Sequence, residues 1–331
     1  MGRLLVLGGT AWLGGEVARA ALERGHEVTC LARGVSGRPP DGVTWVHGDR
    51  QDPRVYEALR GQHWDDVVDV SWQPGMVRAA VAALADRAGH WTYVSSCSVY
   101  VDHHLVGQAE DGATFEPLNA DRADQEHYGP AKVACERAVQ ERMGSRALLA
   151  RAGLIGGPGD PSDRFSYWVG RFALAGDGPV LVPDTPEQGT QTIDVRDLAD
   201  WLVRAGEDCH HGHVNAVGER RTLGDVLDAA RAVAGHTGEV VRADPHWLTG
   251  CGVQAWAGPR SLPLWLPGKD YAGFGARDDS RAVRHGLVRR PLADTLADVL
   301  EDERKRGLDR ERRAGLTRED ELALLAELGA A

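Results

Sequence analysis

The chain's 331 residues, 42% hydrophobic and 26% charged, suffice to bury a large core as one α/β unit with an appended lobe. A formal net charge of -11, with Lys and Arg spread along the chain, argues against nucleic acid as main partner, and no apolar run nears the roughly 18 residues of a membrane span. Five cysteines (Cys30, Cys97, Cys135, Cys209, Cys251) without Cys-x-x-Cys spacing point away from disulfides and zinc and toward a reducing cytoplasm, and a strand starting by Arg3 leaves no room for a secretory leader.

Apolar runs at 3–8, 27–32, 43–46, 67–71, 91–95 and 147–151 predict strands with amphipathic helices between them. Such alternation predicts an α/β, doubly wound parallel sheet of Rossmann type. The first strand runs into "GGTAWLGG", where Gly8, Ala11 and Gly14 precede the helix "EVARAALERG". Glycines there allow a tight turn and close backbone approach, and the helix start offers free N–H groups to a pyrophosphate. A plain tight bend would use the same residues. The second strand ends in Ala32, about 24 residues after Gly8, where NAD-binding proteins place an acid for the ribose. Arg33 follows, and a guanidinium pairs with the extra phosphate of NADP that a carboxylate repels; an exposed loop arginine is the alternative. The third strand ends in "VHGDRQD", which offers Asp49 to the adenine amino group and Arg50 to the face of its ring.

The strand in "WTYVSSCSVY" (91–100) ends in hydroxyls, and "YGPAK" (128–132) opens a helix with Tyr128 and Lys132 four residues apart on one face. A phenol with an ordinary pKa of about 10 needs roughly 4 kcal/mol in favour of phenolate to work near neutrality, much of which a nearby ammonium supplies. A serine hydroxyl polarises a substrate carbonyl and shares the developing oxyanion. Cys97, between two serines, is expected to be a small filler.

After Ile155 turn-rich stretches alternate with the aromatic helix "RFSYWVGRFALAG", which predicts a smaller lobe over the strand ends. The expected division is a dinucleotide-binding domain at 1–155, with 190–217 returning to it, and a substrate lobe with C-terminal helices at 156–331. Arg164, Trp168 and Arg171 fall near one helical face, suited to an anionic or planar ligand or to ordinary amphipathic packing. "SLPLWLPG" (261–268) is a lid, a pocket wall or ordinary core, and "CHHGH" (209–213) fits no zinc spacing, so no metal is expected. The last helical stretch, rich in both charge signs, is expected to be a solvated peripheral pair.

In this order the features resemble the short-chain dehydrogenase/reductase superfamily in its extended, epimerase/dehydratase-like branch, over residues 1 to about 300. The resemblance is carried by "GGTAWLG", "YVSSCSVY", "YGPAK", "RAGLIGGPGDPSD" and "QTIDVRDLADWL". It implies a cofactor cradle at Gly8, Thr10, Ala11, Trp12, Leu13 and Gly14, with Ser71 where the backbone passes under the cofactor. It further implies Ser96 as the carbonyl-binding hydroxyl with Ser98 as fallback, Tyr128 as general acid/base, and Lys132 on the nicotinamide ribose. Two departures stand out: Ala11 replaces the middle glycine, and "VVDVSWQPG" puts Trp72 toward the substrate, at odds with a sugar nucleotide. The implied function is an NADP-dependent oxidoreductase acting on a small polar substrate. Its rivals are a nucleotide-sugar epimerase or dehydratase using the cofactor transiently, and a non-catalytic cofactor-sensing or RNA-associated protein. The family's two-helix dimer makes the Tyr128 helix the candidate homodimer surface.

Overall fold

β1 (Arg3–Leu7) is apolar along nearly its whole length and buried on both faces, the pattern of a central parallel strand. The computed structural model describes residues 2–329. After β1 come α1 (Trp12–Glu23), β2 (Glu27–Ala32), β3 (Thr44–His47), β4 (Trp64–Asp69), α2 (Pro74–Leu84), β5 (Ala88–Ser96), α3 (Tyr128–Met143) and β6 (Ala147–Ala152). β7 (Leu154–Gly156), α4 (Ser166–Ala175), β8 (Val180–Pro183), β9 (Gly189–Asp194), α5 (Val195–Glu207) and β10 (Gly212–Ala216) follow. Seven of these strands form one sheet in the order β10-β6-β5-β4-β1-β2-β3, all parallel. This is the doubly wound Rossmann-type sheet expected from the sequence. Its winding reverses between β1 and β4, and a ligand crevice opens outside the carboxyl ends of strands at such a reversal.

Helices cover both faces. Val17, Ala18 and Ala21 of α1 pack with Leu198 and Leu202 of α5 on one side, and Val77 and Val81 of α2 pack with Cys135 and Val139 of α3 on the other. β7 and β9 form a second small sheet with Arg220–Thr222. Around it α4, Leu223–Ala234 and Leu292–Arg306 enclose a separate apolar cluster that includes Tyr167, Trp168, Phe172 and Trp265. Among the described residues no helix is long and apolar enough to cross a membrane.

Several expectations need correction. β4 ends at Asp69, so Ser71 lies in the following loop rather than on the strand. Trp168 is fully buried and its Nε1 donates to the Pro263 carbonyl at 2.8 Å, because α4 turns this face into the lobe core; it is no substrate contact. The C-terminal stretch is not merely solvated: Leu296, Val299, Leu300, Leu324 and Leu325 join the lobe core, and Glu303 and Glu321 are fully buried. Arg50 is also misassigned by the sequence. Its Nη1 and Nη2 donate to the two Asp69 oxygens at 2.8 and 2.7 Å and its Nε to Tyr56 Oη at 3.0 Å, so the guanidinium is a fixed part of the cleft wall and not a free arm.

Asp69 is fully buried at the end of β4 and also accepts from the Ser71 N–H at 2.9 Å. Removing one partner of a buried pair leaves an uncompensated charge, costing about 3–5 kcal/mol. Arg50→Met is therefore expected to lower the unfolding free energy from urea titration by that much and shift the midpoint down, while Arg54→Ala, which breaks the exposed Arg54–Asp52 pair, barely moves it. Equal midpoints for both variants would refute the assignment.

Candidate active site

The glycine turn is held by two close approaches. Gly8 has φ +104°, a region that favours glycine, and a Cβ on Gly14 would stand 2.2 Å from the Gly8 carbonyl oxygen. α1 thus starts directly against the end of β1. Its N-cap, Ala11, gives no side-chain cap, so the first amides keep their partial positive charge for an outside acceptor. They adjoin a cleft of about 260 Å³ lined by Gly8, Thr10, Ala11, Arg33, Ser36, Asp49, Ser71 and Trp72. A neighbouring space of about 400 Å³ shares Arg50, Gln73 and Met76 with it. Leu13 packs with the α1 side of the sheet core. Trp12 turns the other way, and its Nε1 donates to the Pro158 carbonyl at 2.8 Å. Arg33 stands half-exposed beside buried Ala32, with Nη1 3.8 Å from Asp49 Oδ2. An uncapped helix start, a glycine cradle and a cation at the far rim fit an anionic dinucleotide.

At the end of β5 the Ser96 Oγ accepts from the Ser98 N–H at 3.1 Å and turns the chain. α3 begins against this turn: a Cβ on Gly129 would lie 2.4 Å from the Ser98 carbonyl oxygen, so glycine is what lets Tyr128 approach the serines. One turn on, Lys132 is buried, its Nζ donating to the carbonyls of Val94 at 2.6 Å and Ser71 at 3.2 Å. The ammonium lies 4.9 Å from the Tyr93 ring centre and 5.9 Å from that of Tyr128. The Trp72 ring stands 5.4 Å from the Tyr128 ring.

Ser96, Ser98, Tyr128, Trp12 and Arg164 all line a second cavity of about 420 Å³. Trp72 lines the dinucleotide cleft and touches Tyr128, so the two spaces meet at that pair. Cys97 lies between Ser96 and Ser98 with its Sγ donating to the Arg151 carbonyl at 3.3 Å, and burial pushes its thiol up to about 12; it is a filler and no nucleophile. Sequence reasoning missed Gln125, Asp160, Ser162, Thr190, Gln191, Trp256 and Phe274, which also line the cavity. Asp160, closing "GGPGD" after a strand, carried a visible signal. Trp256 and Phe274 arrive from remote loops and carried none.

Residues 73–218 match the model of the NAD dependent epimerase/dehydratase family, which bears out the resemblance read from the sequence. Among curated proteins the chain is 24% identical over 250 residues to the chloroplast stem-loop binding protein of 41 kDa b of Arabidopsis thaliana, covering 70% of this chain and 63% of that protein. It is 29% identical over 210 residues to a 2-alkyl-3-oxoalkanoate reductase of Stenotrophomonas maltophilia, covering 55% and 61%. The matched region thus spans about six-tenths of the length of these relatives. Among solved structures it resembles the Bordetella bronchiseptica enzyme WbmH in complex with NAD+ (TM-score 0.66, 20% identity, 92% and 99% covered). It also resembles the Thermus thermophilus UDP-glucose 4-epimerase in complex with NAD (TM-score 0.61, 19% identity, 91% and 99% covered). At these identities the likeness is one of fold.

α3 is fixed to the sheet by a buried pair: Arg151 Nε and Nη2 donate to Glu136 at 3.0 and 2.9 Å. Burial alone would raise the Glu136 carboxyl, but hydrogen bonds from His213 and Arg151 outweigh it and hold it at about 2, against an ordinary 4.5. The fold prefers the charged form, so this stabilisation is complete above about pH 4.5 and is lost as pH falls toward 2. It amounts to something on the order of 3 kcal/mol. In urea titrations at several pH values, the stability gap between wild type and Glu136→Gln should narrow from pH 6 to pH 3; a constant gap would contradict this account.

Proposed function

We propose that this member of the extended short-chain dehydrogenase/reductase branch is an NADP-dependent oxidoreductase, moving hydride between nicotinamide and a carbonyl or secondary-alcohol carbon of a small polar substrate. One observation carries the reading: Ser96 and Tyr128 line one cavity, with buried Lys132 behind Tyr128, where that cavity meets the cleft beside the glycine turn. When bound, the nicotinamide supplies or takes up the hydride; the protein's own groups do the rest. Ser96 Oγ donates a hydrogen bond to the substrate oxygen, and Tyr128 Oη gives that oxygen its proton as the carbonyl carbon is reduced. Lys132, held on two backbone carbonyls, keeps a positive charge beside the phenol and favours the phenolate left behind. Gly8, Thr10, Ala11, Trp12, Leu13 and Gly14 cradle the phosphates, Ser71 passes beneath the cofactor, and Asp49 meets the adenine end. Arg33, beside Ala32 and Ser36 on the cleft wall, supplies the cation for a 2′-phosphate. The reductase named among the relatives supports net redox chemistry.

The family match favours a second reading, an epimerase or dehydratase that returns the hydride within one turnover. A third, an RNA-associated protein, draws on the stem-loop binding relative, but the assembled Ser96, Tyr128 and Lys132 and a net charge of -11 weigh against it.

Absorbance at 340 nm separates the first two readings: stoichiometric loss of reduced cofactor with substrate supports the reductase, and turnover without net change supports the epimerase. Tyr128→Phe should lower kcat by about 10²–10⁴-fold while cofactor affinity, followed by fluorescence, holds. Arg33→Ala should weaken NADPH binding by about 10–100-fold and leave NADH unchanged; tighter binding of NADH than NADPH by the wild type would overturn the cofactor assignment.

A further inference from the structure

We propose that Arg164 holds a carboxylate of the substrate, so that the cavity takes an oxo or hydroxy carboxylic acid with an apolar body; this rests on the hydride-transfer reading of the same site. Arg164 sits on the cavity wall with its guanidinium carbon 5.1 Å from the Trp256 ring centre. Its Nε donates to Ser162 Oγ at 3.2 Å. Its two terminal nitrogens donate to no atom of the described residues, and it forms no ion pair there. Arg164 is partly buried, and neighbouring guanidiniums of the lobe are spent on carboxylates: buried Arg171 pairs with Glu321, partly buried Arg310 with Asp163 and Glu303, and partly buried Arg312 with Glu303. Arg277 also lacks a carboxylate, but its Nη2 donates to the Asp102 carbonyl and His103 Nδ1.

Two free, coplanar donors on a plane fixed by an indole face match a carboxylate in bidentate fashion. The nearest acid on this wall does not satisfy them. Asp160 accepts from the Ser162 N–H at 2.8 Å and from its Oγ at 3.0 Å. Burial holds the Asp160 carboxyl above its usual range and pulls the Arg164 guanidinium below its own, the condition of a cation awaiting a counter-ion. Leu154, Val217, Leu264, Leu266 and Phe274 give the same wall an apolar part, while Gln125, Thr190 and Gln191 add neutral polar groups and no further cation. A sugar diphosphate would bring two phosphate charges to this single uncommitted cation. A monocarboxylate brings one charge and an apolar chain, and its oxo group can reach Ser96 and Tyr128 on the same cavity.

The test uses the full chain in two assays. In the first, six-carbon 2-, 3- and 4-oxo acids and their methyl esters are reduced with NADPH. The wild type should prefer at least one acid over its ester, and Arg164→Gln should raise KM for that acid by about 10–100-fold with kcat and the ester's KM little changed. Arg164→Lys, which keeps the charge without the fork, should recover part of the loss. In the second, hexanoate binding is measured by calorimetry without turnover: wild type should bind it and Arg164→Gln should not. If no ketone is reduced yet hexanoate binds through Arg164, the redox reading falls and the carboxylate site stands. If acid and ester respond equally to Arg164→Gln, or hexanoate binds both proteins alike, the proposal is overturned.

Discussion

A single buried ammonium ties the functional end of the molecule together. Lys132 grips the carbonyls of Val94, within β5, and Ser71, just after β4, from a helix remote from both in sequence. A buried cation without partners would cost several kcal/mol, so the carbonyls must stay where the ammonium meets them. That requirement orders the loop after β4 and the last turn of β5 at once. Tyr128, one helical turn before Lys132, inherits its position from the same contact, and Trp72 inherits its own from the Ser71 loop. The buried Arg50–Asp69 pair reinforces this loop from below through the Ser71 amide.

Trp12 gives the fold its second coupling. It stands first in α1, beside the glycine cradle, yet its ring lines the cavity and its Nε1 holds the Pro158 carbonyl. One residue therefore belongs to the turn suited to phosphates and to the wall suited to substrate. A smaller side chain there would leave the loop carrying Asp160, Ser162 and Arg164 without its anchor on the sheet domain.

What the sequence made legible was whatever depends on short-range pattern. β1, the glycine turn, the hydroxyl-ended β5 and the Tyr128–Lys132 spacing are all local, and each stands where expected. Three things depended on long-range partners and were not legible. Arg50 looked like a free arm because nothing local says that Asp69, from another strand, fills its fork. Trp168 looked like a ligand contact because periodicity reports a helix face but not which neighbour covers it. The C-terminal charges looked solvated because their buried partners, Arg171 and Asp163, lie more than a hundred residues away. Trp256 and Phe274 of the cavity roof come from loops whose local sequence carries no period, whereas Leu264 lies in the stretch 261–268 whose apolar, proline-punctuated sequence already suggested a wall.

The same long-range pairing decides the charge of the cavity. In sequence Arg164 stands next to Asp163, and a local reading would let one neutralise the other. In the fold Asp163, at φ +60°, turns its carboxylate to Arg310 and Arg306 and to the Arg313 amide. Asp302 meanwhile holds the Gly159 amide at 2.9 Å. The C-terminal segment thus does two jobs with one set of contacts: it fixes the 158–164 loop in place, and it draws off the carboxylate that would otherwise quench Arg164. A free guanidinium on the wall is the consequence of where the last helices pack, which is why the charge the cavity presents is written far from the residues that line it.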